Sequence, residues 1–482
     1  MAAALHHGLH HGLQKPEVLI VGAGLAGLML GMLLEKIDVP YQIYERAATV
    51  KPLGSAMALG ASILPAFEQL GLLEDIKRIG LPYRYLDMYN DKMGKLGAID
   101  MSSHEKLVGY EQIIFARPRL YEVMLKQIPP SKISYNKKIL RTEENEGKIT
   151  IHCSDNTRYA GDILVGADGA YSGVRQNLYR QLDAKGLLPK SDLENFSIGF
   201  INMVGVATPD DPSKFPVLKD DRCHFSVVVG GVGGRGWGTM SVPDNQYCWS
   251  LGLSLSESEA KSQQFRNSEW GPESVDAMYK AFEDAPHPLG GTMGDIMKHT
   301  PRDRISKVFL EEKIFKTWYG DQTVLVGDAC HKMLPGAGLG AVNAMQDSVV
   351  LANCIYNMPD ASRSSITGAF EEYYRQRFPL LDSQYKRSQT MMAVMGGKTW
   401  TQRMTRHAML NYVPGFIMDK DFVKSFEYRP QIAWLPLVTN RGKGHVLPQE
   451  GKRELYQDRL ARLKNMYPHL RHGDNVRPAA AV

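Results

Sequence analysis

The sequence lacks the features that mark several classes of protein. It has five cysteines in 482 residues and no CxxC pair, which argues against a disulfide framework or a structural zinc site and fits a reducing compartment. Its 57 Lys and Arg exceed its 52 Asp and Glu by only five and form no long basic stripe, so nucleic acid is not an expected partner. No internal repeat is present. The remaining composition, 43% hydrophobic and 23% charged, is that of a globular protein of two or three domains.

Targeting signals are missing as well. Residues 1–14 have no signal-peptide pattern, and we predict a flexible extension there; its histidines leave metal binding as an alternative (His6, His7, His10 and His11). The apolar run at residues 18–34 approaches the length of a bilayer span, but glycines interrupt it. We therefore expect a cytoplasmic protein without an integral membrane span. Peripheral contact with a membrane stays open, as does the oligomeric state.

A glycine-rich motif lies between two predicted strands in residues 17–45. Gly22, Gly24 and Gly27 form GxGxxG after a β-branched run and before a helical stretch, and Glu45 ends the next strand. The first glycine permits a tight turn, the second allows close approach of a pyrophosphate, and the third allows close helix packing. A carboxylate at the position of Glu45 accepts hydrogen bonds from a ribose diol. The sequence therefore predicts a bound dinucleotide, and this motif alone leaves NAD and FAD open.

A second GxGxxG, at Gly231, Gly233 and Gly236, has a different context. It is followed by residues that alternate with period two around a Pro-Asp-Asn turn, so no helix is expected there. We interpret it as a hairpin, and no second dinucleotide-binding unit is visible. A third glycine cluster, at residues 336–340, does open a predicted helix, after a strand at residues 323–326 that leads into Gly327 and Asp328.

Three separated motifs together resemble the single-component FAD-dependent monooxygenases of the para-hydroxybenzoate hydroxylase type. They are the GxGxxG with Glu45 and Arg46, the segment DILVGADGAYSGVR at residues 162–175, and VLVGDACHKMLPGAGLGAVNAMQD at residues 324–347. Their order and spacing match that family over about residues 15–380. The third motif is most similar to fungal members of secondary metabolism, which hydroxylate or epoxidise terpenoid, polyketide or indole-derived compounds.

The resemblance implies a set of FAD-binding residues. The ADP half would lie on the first glycine motif, with Glu45 at the adenosine ribose and Arg46 near the adenine, and Arg117 would reach the flavin region. Asp168 and Gly169 would serve FAD, in a motif that the family also links to NAD(P)H. Gly327 and Asp328 would meet the ribityl chain. The flavin edge would be held by the start of the late helix (Pro335, Gly336, Gly338, Leu339 and Gly340).

Four residues near these motifs also have simpler explanations. Arg117 also fits a surface position in a first helical turn. Arg175 could organise neighbouring carboxylates or phosphates through its forked, charged donor group, with a structural ion pair as the alternative. His331 is expected to form hydrogen bonds in its loop, since no partner at metal-ligand spacing accompanies it. Cys330 fits a small buried side chain beside a cofactor. No metal site and no catalytic side chain are predicted; Pro335, Gly336 and Gly338 are the candidates at the flavin edge.

The resemblance also implies an α/β architecture. It comprises a discontinuous Rossmann-like FAD-binding domain of the GR2 type (residues 15–180 and 301–375), an antiparallel β-sheet substrate domain (181–300), and a C-terminal helical region and tail (376–482). Strand-like runs at residues 196–206, 223–229, 238–242 and 247–255 fit the sheet. Trp237, Tyr247 and Trp249 are candidates for lining a substrate pocket, with burial in the sheet core as the alternative.

The expected function is an FAD-dependent monooxygenase. It would use NAD(P)H and O₂ to hydroxylate or epoxidise a hydrophobic aromatic or olefinic small molecule through a flavin C4a-hydroperoxide. Two alternatives remain: an FAD-dependent reductase or oxidase of the same fold, and a flavin-binding protein without turnover. Substrate identity, Baeyer-Villiger insertion and the choice between NADH and NADPH stay open.

Overall fold

The computed structural model of the protein describes residues 15–50, 54–145, 147–255, 272–334 and 338–449. The four N-terminal histidines, Pro335 and Gly336 lie outside these ranges. Strands are found at Val18–Val21 (β1), Tyr41–Tyr44 (β2), Ala56–Leu59 (β3), Leu81–Pro82 (β4), Tyr85–Tyr89 (β5), Lys95–Asp100 (β6), Ile113–Ala116 (β7), Ile133–Ser134 (β8), Ile139–Asn145 (β9), Lys148–Cys153 (β10), Arg158–Gly161 (β11), Ile163–Gly166 (β12), Ser197–Ala207 (β13), Phe225–Gly231 (β14), Arg235–Val242 (β15), Gln246–Ser254 (β16), Ser306–Ile314 (β17), Tyr319–Gly320 (β18), Thr323–Leu325 (β19) and His331–Lys332 (β20).

The α-helices of the described residues connect and cover these strands. They are Leu25–Glu35 (α1), Leu64–Gln69 (α2), Leu73–Arg78 (α3), His104–Val108 (α4), Arg117–Leu125 (α5), Gly173–Ala184 (α6), Lys190–Leu193 (α7), Pro272–Phe282 (α8), Met293–Met297 (α9), Leu339–Tyr356 (α10), Arg363–Gly396 (α11), Trp400–Asn411 (α12) and Gly415–Ser425 (α13).

The first sheet has six strands in the order β18-β19-β12-β1-β2-β8. All its neighbours run parallel except the edge pair β18 and β19. Every residue of β1 and β12 is buried, as expected for the central strands of a parallel sheet covered on both faces. The strand, helix and parallel strand predicted around the first glycine motif are present as β1, α1 and β2, and β1 lies at the centre of the sheet.

The second large sheet has eight strands in the order β20-β17-β13-β16-β15-β14-β5-β6. The four strand-like runs of residues 181–300 correspond to its strands β13 to β16. The remaining strands come from both sides of that interval, and β5 joins β14 in the one parallel pair that the described residues give this sheet. The second GxGxxG forms the predicted hairpin, because β14 and β15 pair antiparallel around a short turn at Val232–Gly234.

Two smaller antiparallel sheets complete the strand set, with the orders β11-β10-β9 and β3-β7-β4. The main core contains the parallel sheet with α1, α10 and α11. A separate core lies against the eight-stranded sheet and contains Trp237, Tyr247 and Trp249. Both tryptophans donate their ring N–H groups within this core, to Pro286 O and to Thr300 Oγ1. These three aromatic rings therefore take the core role that was the alternative to lining a pocket.

Three helices follow one another towards the C-terminus of the described chain. Helix α11 is 34 residues long and contains Pro379. Helix α12 begins with a capping box, in which the Thr399 side chain accepts from the Gln402 N–H and the Gln402 side chain accepts from the Thr399 N–H. Among the described residues, no helix combines the length and the apolar character needed to cross a membrane.

Candidate active site

The turn between β1 and α1 needs glycine at two positions for steric reasons. Gly22 has φ +106°, and a Cβ there would overlap the Ala167 carbonyl; a Cβ on Gly27 would overlap the Gly22 carbonyl. Gly24 differs, since the nearest atom to a Cβ placed there is Ala167 O at 3.9 Å. No side chain caps the start of α1, so no side chain occupies the first main-chain N–H groups of this helix. This donor set fits a pyrophosphate.

Glu45 joins this turn from the end of β2. One carboxylate oxygen accepts from the Ala23 N–H and the other from the Ala47 N–H, both at 2.8 Å. Glu45, the residue predicted to bind the adenosine ribose, therefore lies directly beside the glycine turn. Arg46 is exposed.

Arg117 begins α5, where its backbone N–H donates to Ser55 O at 2.8 Å. Its side chain lies against Gly54, because a Cβ on that glycine would be 2.9 Å from Arg117 Cδ. The guanidinium donates to Tyr121 Oη at 3.3 Å, while its buried Nε has no hydrogen-bond partner among the described residues. A buried donor without a partner is costly, so this atom favours the ligand-directed explanation of Arg117 over the surface one.

Asp168 makes its hydrogen bonds within its own loop. Its carboxylate accepts from Ser172 Oγ at 2.5 Å and from the N–H groups of Gly173 and Val174 at 2.7 and 3.2 Å. These bonds satisfy the first turn of α6. Burial raises the pKa of Asp168, and the Ser172 hydroxyl opposes that change. Gly169 has φ +81° and open space around it. Asp168 thus shapes the loop that presents Gly169.

Arg175 links the second motif to the third. Its guanidinium donates to Ala170 O at 2.7 Å and to Ala329 O at 2.8 Å, and its carbon centre lies 4.2 Å from the ring centroid of Phe315. Burial lowers its pKa. Neither a carboxylate nor a phosphate is its partner among the described residues, so the predicted ion pair is replaced by a bridge between two backbone carbonyls.

The third motif forms a short turn followed by the start of α10. Gly327 has φ +62°, and a Cβ there would be 2.9 Å from the Ala344 side chain of α10. Asp328 is half-buried, and its carboxylate has no hydrogen bond or ion pair within the described part of the chain. Gly338 precedes α10 with φ +63° and no capping side chain. Among the described residues, which leave out 335–337, no atom lies within 4 Å of a Cβ placed on Gly338 or Gly340, so this part of the chain leaves the start of the helix open.

The two open helix starts belong to one packed unit. Helices α1 and α10 touch directly, since Ser348 Oγ donates to Ala26 O at 2.8 Å. The structure therefore brings together the first and third motifs, and Arg175 adds the second. These features suit a long ligand with a phosphate-rich half and a polar ring, as FAD has. They are the uncapped starts of α1 and α10, the carboxylate of Asp328 and the buried Arg117 Nε.

A buried charged network joins two residues of the third motif, His331 and Asp347, to Arg377 of α11, and this partnership was not predicted from the sequence. Asp347 and Arg377 are fully buried, and His331 is 1% exposed. Asp347 Oδ2 accepts from the Gly327 N–H at 2.9 Å and lies 2.6 Å from His331 Nε2, while Oδ1 accepts from Arg377 Nε at 2.7 Å. Burial alone would raise the pKa of Asp347, but His331 and Arg377 together lower it. The signal in the sequence is a polar run, Asn343, Gln346 and Asp347, within an otherwise apolar helix.

Cys330, His331 and Asp347 place possible metal-ligand atoms within 4.8 Å of one another. Their chemistry fits a hydrogen-bonded network better than an ion. The Asp347 oxygens already have three partners, the Gly327 N–H, His331 and Arg377. Burial also raises the pKa of the Cys330 thiol, which works against the thiolate that a metal requires. His331 therefore has the hydrogen-bonding role expected of it, with a helix carboxylate as partner.

Known proteins similar to this chain also point to FAD as the cofactor. A family model described as "FAD binding domain" matches residues 15–247 and 250–367. The match covers more than half of the chain, which belongs to this family of FAD-binding proteins.

Curated relatives carry the name that the sequence predicted. FAD-dependent monooxygenase atmM of Aspergillus flavus is 25% identical over 457 residues, which are 89% of this chain and 88% of the relative. FAD-dependent monooxygenase ausM of Aspergillus calidoustus is 27% identical over 383 residues, 77% of this chain and 78% of the relative. The prediction of an FAD-dependent monooxygenase, with fungal relatives, is confirmed.

A solved structure shares the fold. The HpxO protein of Klebsiella pneumoniae, crystallised with FAD and uric acid, superposes with a TM-score of 0.67 at 19% identity, covering 86% of this chain and 97% of that one. The mixed α/β fold with an FAD-binding domain is therefore also found in an FAD-bound protein.

Proposed function

We propose that this protein uses NAD(P)H and O₂ to hydroxylate or epoxidise a hydrophobic aromatic or olefinic small molecule in secondary metabolism. The observation that carries the proposal is the open, glycine-lined start of α10 beside the free carboxylate of Asp328. The second GxGxxG, at Gly231, Gly233 and Gly236, forms a hairpin with no helix after it among the described residues, so that motif does not supply a second dinucleotide-binding turn for a nicotinamide cofactor. A transiently bound NAD(P)H, used as a co-substrate, agrees with that arrangement.

FAD, once bound, supplies the electron transfer and the activation of O₂. The proposed domain division assigns this role to residues 15–180 and 301–375. Within them the chain's own groups bind and orient: the start of α1 would hold the pyrophosphate, Glu45 the adenosine ribose, and Asp328 the ribityl hydroxyls. Arg46 is proposed near the adenine, and Gly169 in the second cofactor loop.

The start of α10 has an electrostatic role in the proposal. Main-chain N–H groups of Leu339 and Gly340 would hold one edge of the flavin. Because a helix N-terminus carries a partial positive charge, it favours negative charge at that edge. No side chain is needed as acid or base in this step; the candidates for direct contact are Gly338 and, outside the described residues, Pro335 and Gly336.

The eight-stranded sheet is proposed as the wall of the substrate pocket. Strand β7 ends at the residue before Arg117, and Ser55 Oγ of the facing loop donates to Trp249 O at 3.2 Å. The sheet is thus attached directly to the segment that carries Arg117. A wall of this kind would exclude water from the reacting groups and would accept an apolar compound.

The proposal is tested by incubating the FAD-loaded protein with NADPH or NADH, candidate aromatic and olefinic compounds, and ¹⁸O₂. We expect a product heavier by one labelled oxygen atom, with faster NAD(P)H oxidation when the compound is present. Hydrogen peroxide as the sole product with every compound tried would contradict the proposal. A product that forms equally without oxygen would instead identify a reductase, and no NAD(P)H oxidation at all would identify a binding protein.

A further inference from the structure

The helices α12 and α13 expose large apolar side chains. The exposed fractions are 67% for Trp400, 51% for Met404, 74% for Tyr412, 69% for Phe416 and 47% for Ile417. Residues spaced by four lie on one face of a helix, so Trp400, Met404 and Ala408 share a face of α12. Tyr412 directly follows that helix, and Phe416 and Ile417 lie in the first turn of α13. We call these five large side chains the apolar stripe. Single exposed apolar residues are ordinary, but a group of this size marks an interaction surface.

The opposite side of α12 is anchored to the protein. Arg406 is buried and donates to Met395 O at 2.7 Å, and Leu410 packs on Gly97. At the C-terminal end of the helix, on the exposed side, Asn411 Nδ2 donates to Leu96 O at 3.0 Å. The helix therefore has a defined inner face, and the apolar stripe is what it presents outward.

The charges on the α12 side of the apolar stripe are positive, whereas α13 carries both acidic residues (Asp419, Asp421) and basic ones (Lys420, Lys424). Residues 383–418 contain no Asp or Glu, while five basic residues fall within them: Lys386, Arg387, Lys398, Arg403 and Arg406. Lys386 and Arg387 are paired with Asp382 and Asp421. Lys398 and Arg403 are exposed beside Trp400, and neither forms an ion pair in the described part of the chain. The free charge on the α12 side of the stripe is thus positive.

We propose that the apolar stripe docks on the surface of an anionic lipid bilayer, with the two helices lying in the plane of the interface. Tryptophan and tyrosine favour the headgroup region, where phenylalanine, isoleucine and methionine side chains reach the acyl boundary. The unpaired Lys398 and Arg403 lie where lipid phosphates and carboxylates attract them. The aromatic face and the positive charge beside it are both features that an anionic bilayer attracts.

The position of α12 gives the docking a consequence for substrate access. Its N-terminal end meets β13, since Lys398 Nζ lies 5.4 Å from the Phe200 ring centroid, and its C-terminal end meets β6 at Leu96. A docked molecule would hold the eight-stranded sheet at the membrane, where an apolar substrate dissolves. This consequence rests on the proposed function, whereas the docking itself does not.

Docking is tested by co-sedimentation of the FAD-loaded full-length protein with vesicles of phosphatidylcholine, or of phosphatidylcholine mixed with phosphatidylserine. We expect sedimentation with the mixed vesicles, at least tenfold weaker in the double variant Trp400→Ser with Phe416→Ser. Lys398→Gln with Arg403→Gln is expected to weaken binding to the mixed vesicles and to remove its dependence on salt. The matched control is Leu187→Ser with Leu193→Ser, which removes two equally exposed apolar side chains elsewhere and is expected to bind like the unmodified protein.

Three results would overturn the proposal. One is an unmodified protein that stays in the supernatant with both kinds of vesicle. Another is equal sedimentation of the unmodified protein and the Trp400 and Phe416 variant. The third is a dimer, seen by light scattering without lipid, that this variant turns into a monomer, because a second copy of the chain would then be the occupant. All variants are first compared by circular dichroism and flavin absorbance, so that loss of folding is recognised separately.

Discussion

At the scale of single residues, different glycines of the first motif serve folding and ligand binding. Gly22 and Gly27 are needed by the backbone, whereas the space beside Gly24 is open to a ligand. We therefore expect Gly24→Ala to fold with a free energy of unfolding changed by no more than about 1 kcal/mol, and to bind FAD at least about tenfold more weakly, equal to about 1.4 kcal/mol. Flavin titration followed by fluorescence, with thermal unfolding of the apoprotein, measures both quantities.

Two other glycine substitutions act as controls for that result. Gly22→Ala is expected to lose stability and binding together, because its φ of +106° and its contact with Ala167 exclude a side chain. Gly368→Ala, in the exposed interior of α11 with open space around it, is expected to leave binding unchanged. Equal FAD affinity in Gly24→Ala and the unmodified protein would contradict the assignment of the pyrophosphate to this turn.

The buried Asp347 offers a second test at this scale. Asp347→Asn keeps the shape but leaves Arg377 and His331 without a carboxylate, and breaking a buried ion pair typically costs about 3–5 kcal/mol. We expect a loss of that order in the free energy of unfolding, measured by urea denaturation. Asp421→Asn, which breaks the exposed pair with Arg387, is the comparison and is expected to cost less than about 1 kcal/mol. Similar losses in the two variants would mean that Asp347 does not stabilise the molecule as proposed.

At the scale of elements, α13 is attached to the FAD-binding part by a ring stack. His104 in α4 and Phe422 in α13 have ring centroids 3.1 Å apart and planes inclined by 14°. Burial lowers the pKa of His104 to about 4. The neutral imidazole is therefore the form that the folded protein favours.

This stack predicts a dependence of stability on pH. An unfolded histidine has a pKa near 6.5, so between pH 6.5 and about 4 the unfolded chain binds a proton that folded His104 does not. Stability is therefore expected to fall as the pH falls through this window, by roughly 1–3 kcal/mol for this residue. Thermal unfolding of the unmodified protein and of His104→Phe at several pH values measures it.

The His104→Phe variant separates the contribution of His104 to the pH dependence of stability from that of other histidines. His287 also has its pKa lowered to about 4 by burial, and it is present in both proteins. The unmodified protein should lose more stability than His104→Phe between pH 6.5 and 4. Parallel curves over that interval would contradict the assignment.

Elements with a local signal could be predicted, and those that depend on distant partners could not. The hairpin of β14 and β15 followed from period-two alternation, and α1 followed from the strand and glycines before it. Strands β5 and β6 joined the eight-stranded sheet without any sign in the sequence. Strand β5 pairs with β14, which lies more than 130 residues further along the chain, and β6 joins the sheet through β5. A parallel pair such as β5 and β14 has no connecting turn to reveal it.

At the scale of the whole molecule, Arg175 connects the loops of the second and third motifs, which are far apart in sequence. Arg175→Met keeps the apolar contact with Phe315 but leaves the carbonyls of Ala170 and Ala329 without their donor. We expect the free energy of unfolding to fall by about 1–3 kcal/mol and FAD affinity to fall with it. Urea denaturation and flavin titration measure the two effects.

Arg175→Lys and Arg180→Met complete that experiment. Lysine can reach only one carbonyl well, so partial recovery of both quantities is expected. Arg180 lies on the exposed side of the same helix, and its loss should leave FAD affinity unchanged. Full affinity in Arg175→Met would show that the two loops keep their positions without the bridge.

The candidate site shows the same limit on what a sequence reveals. Three motifs could be assigned to one cofactor because each has its own local pattern of strand, glycine and helix. Two roles could not be predicted from the sequence: the bonds of Asp168 to the first turn of α6, and the pairing of Asp347 with Arg377. The partner of a carboxylate depends on which loops the fold brings together. For Arg175 the residue was recognised, but its partners are backbone atoms that no sequence pattern marks.

The order of strands in the six-stranded sheet has a consequence for synthesis on the ribosome. Strand β1 is made first, yet its neighbour β12 ends at residue 166, the next strand β19 ends at residue 325, and Arg377 follows later still. The six-stranded sheet therefore cannot form completely until more than 325 of the 482 residues have been synthesised. During that interval the apolar edge of β1 and β12 is unprotected, and we expect chaperones to bind the growing polypeptide there.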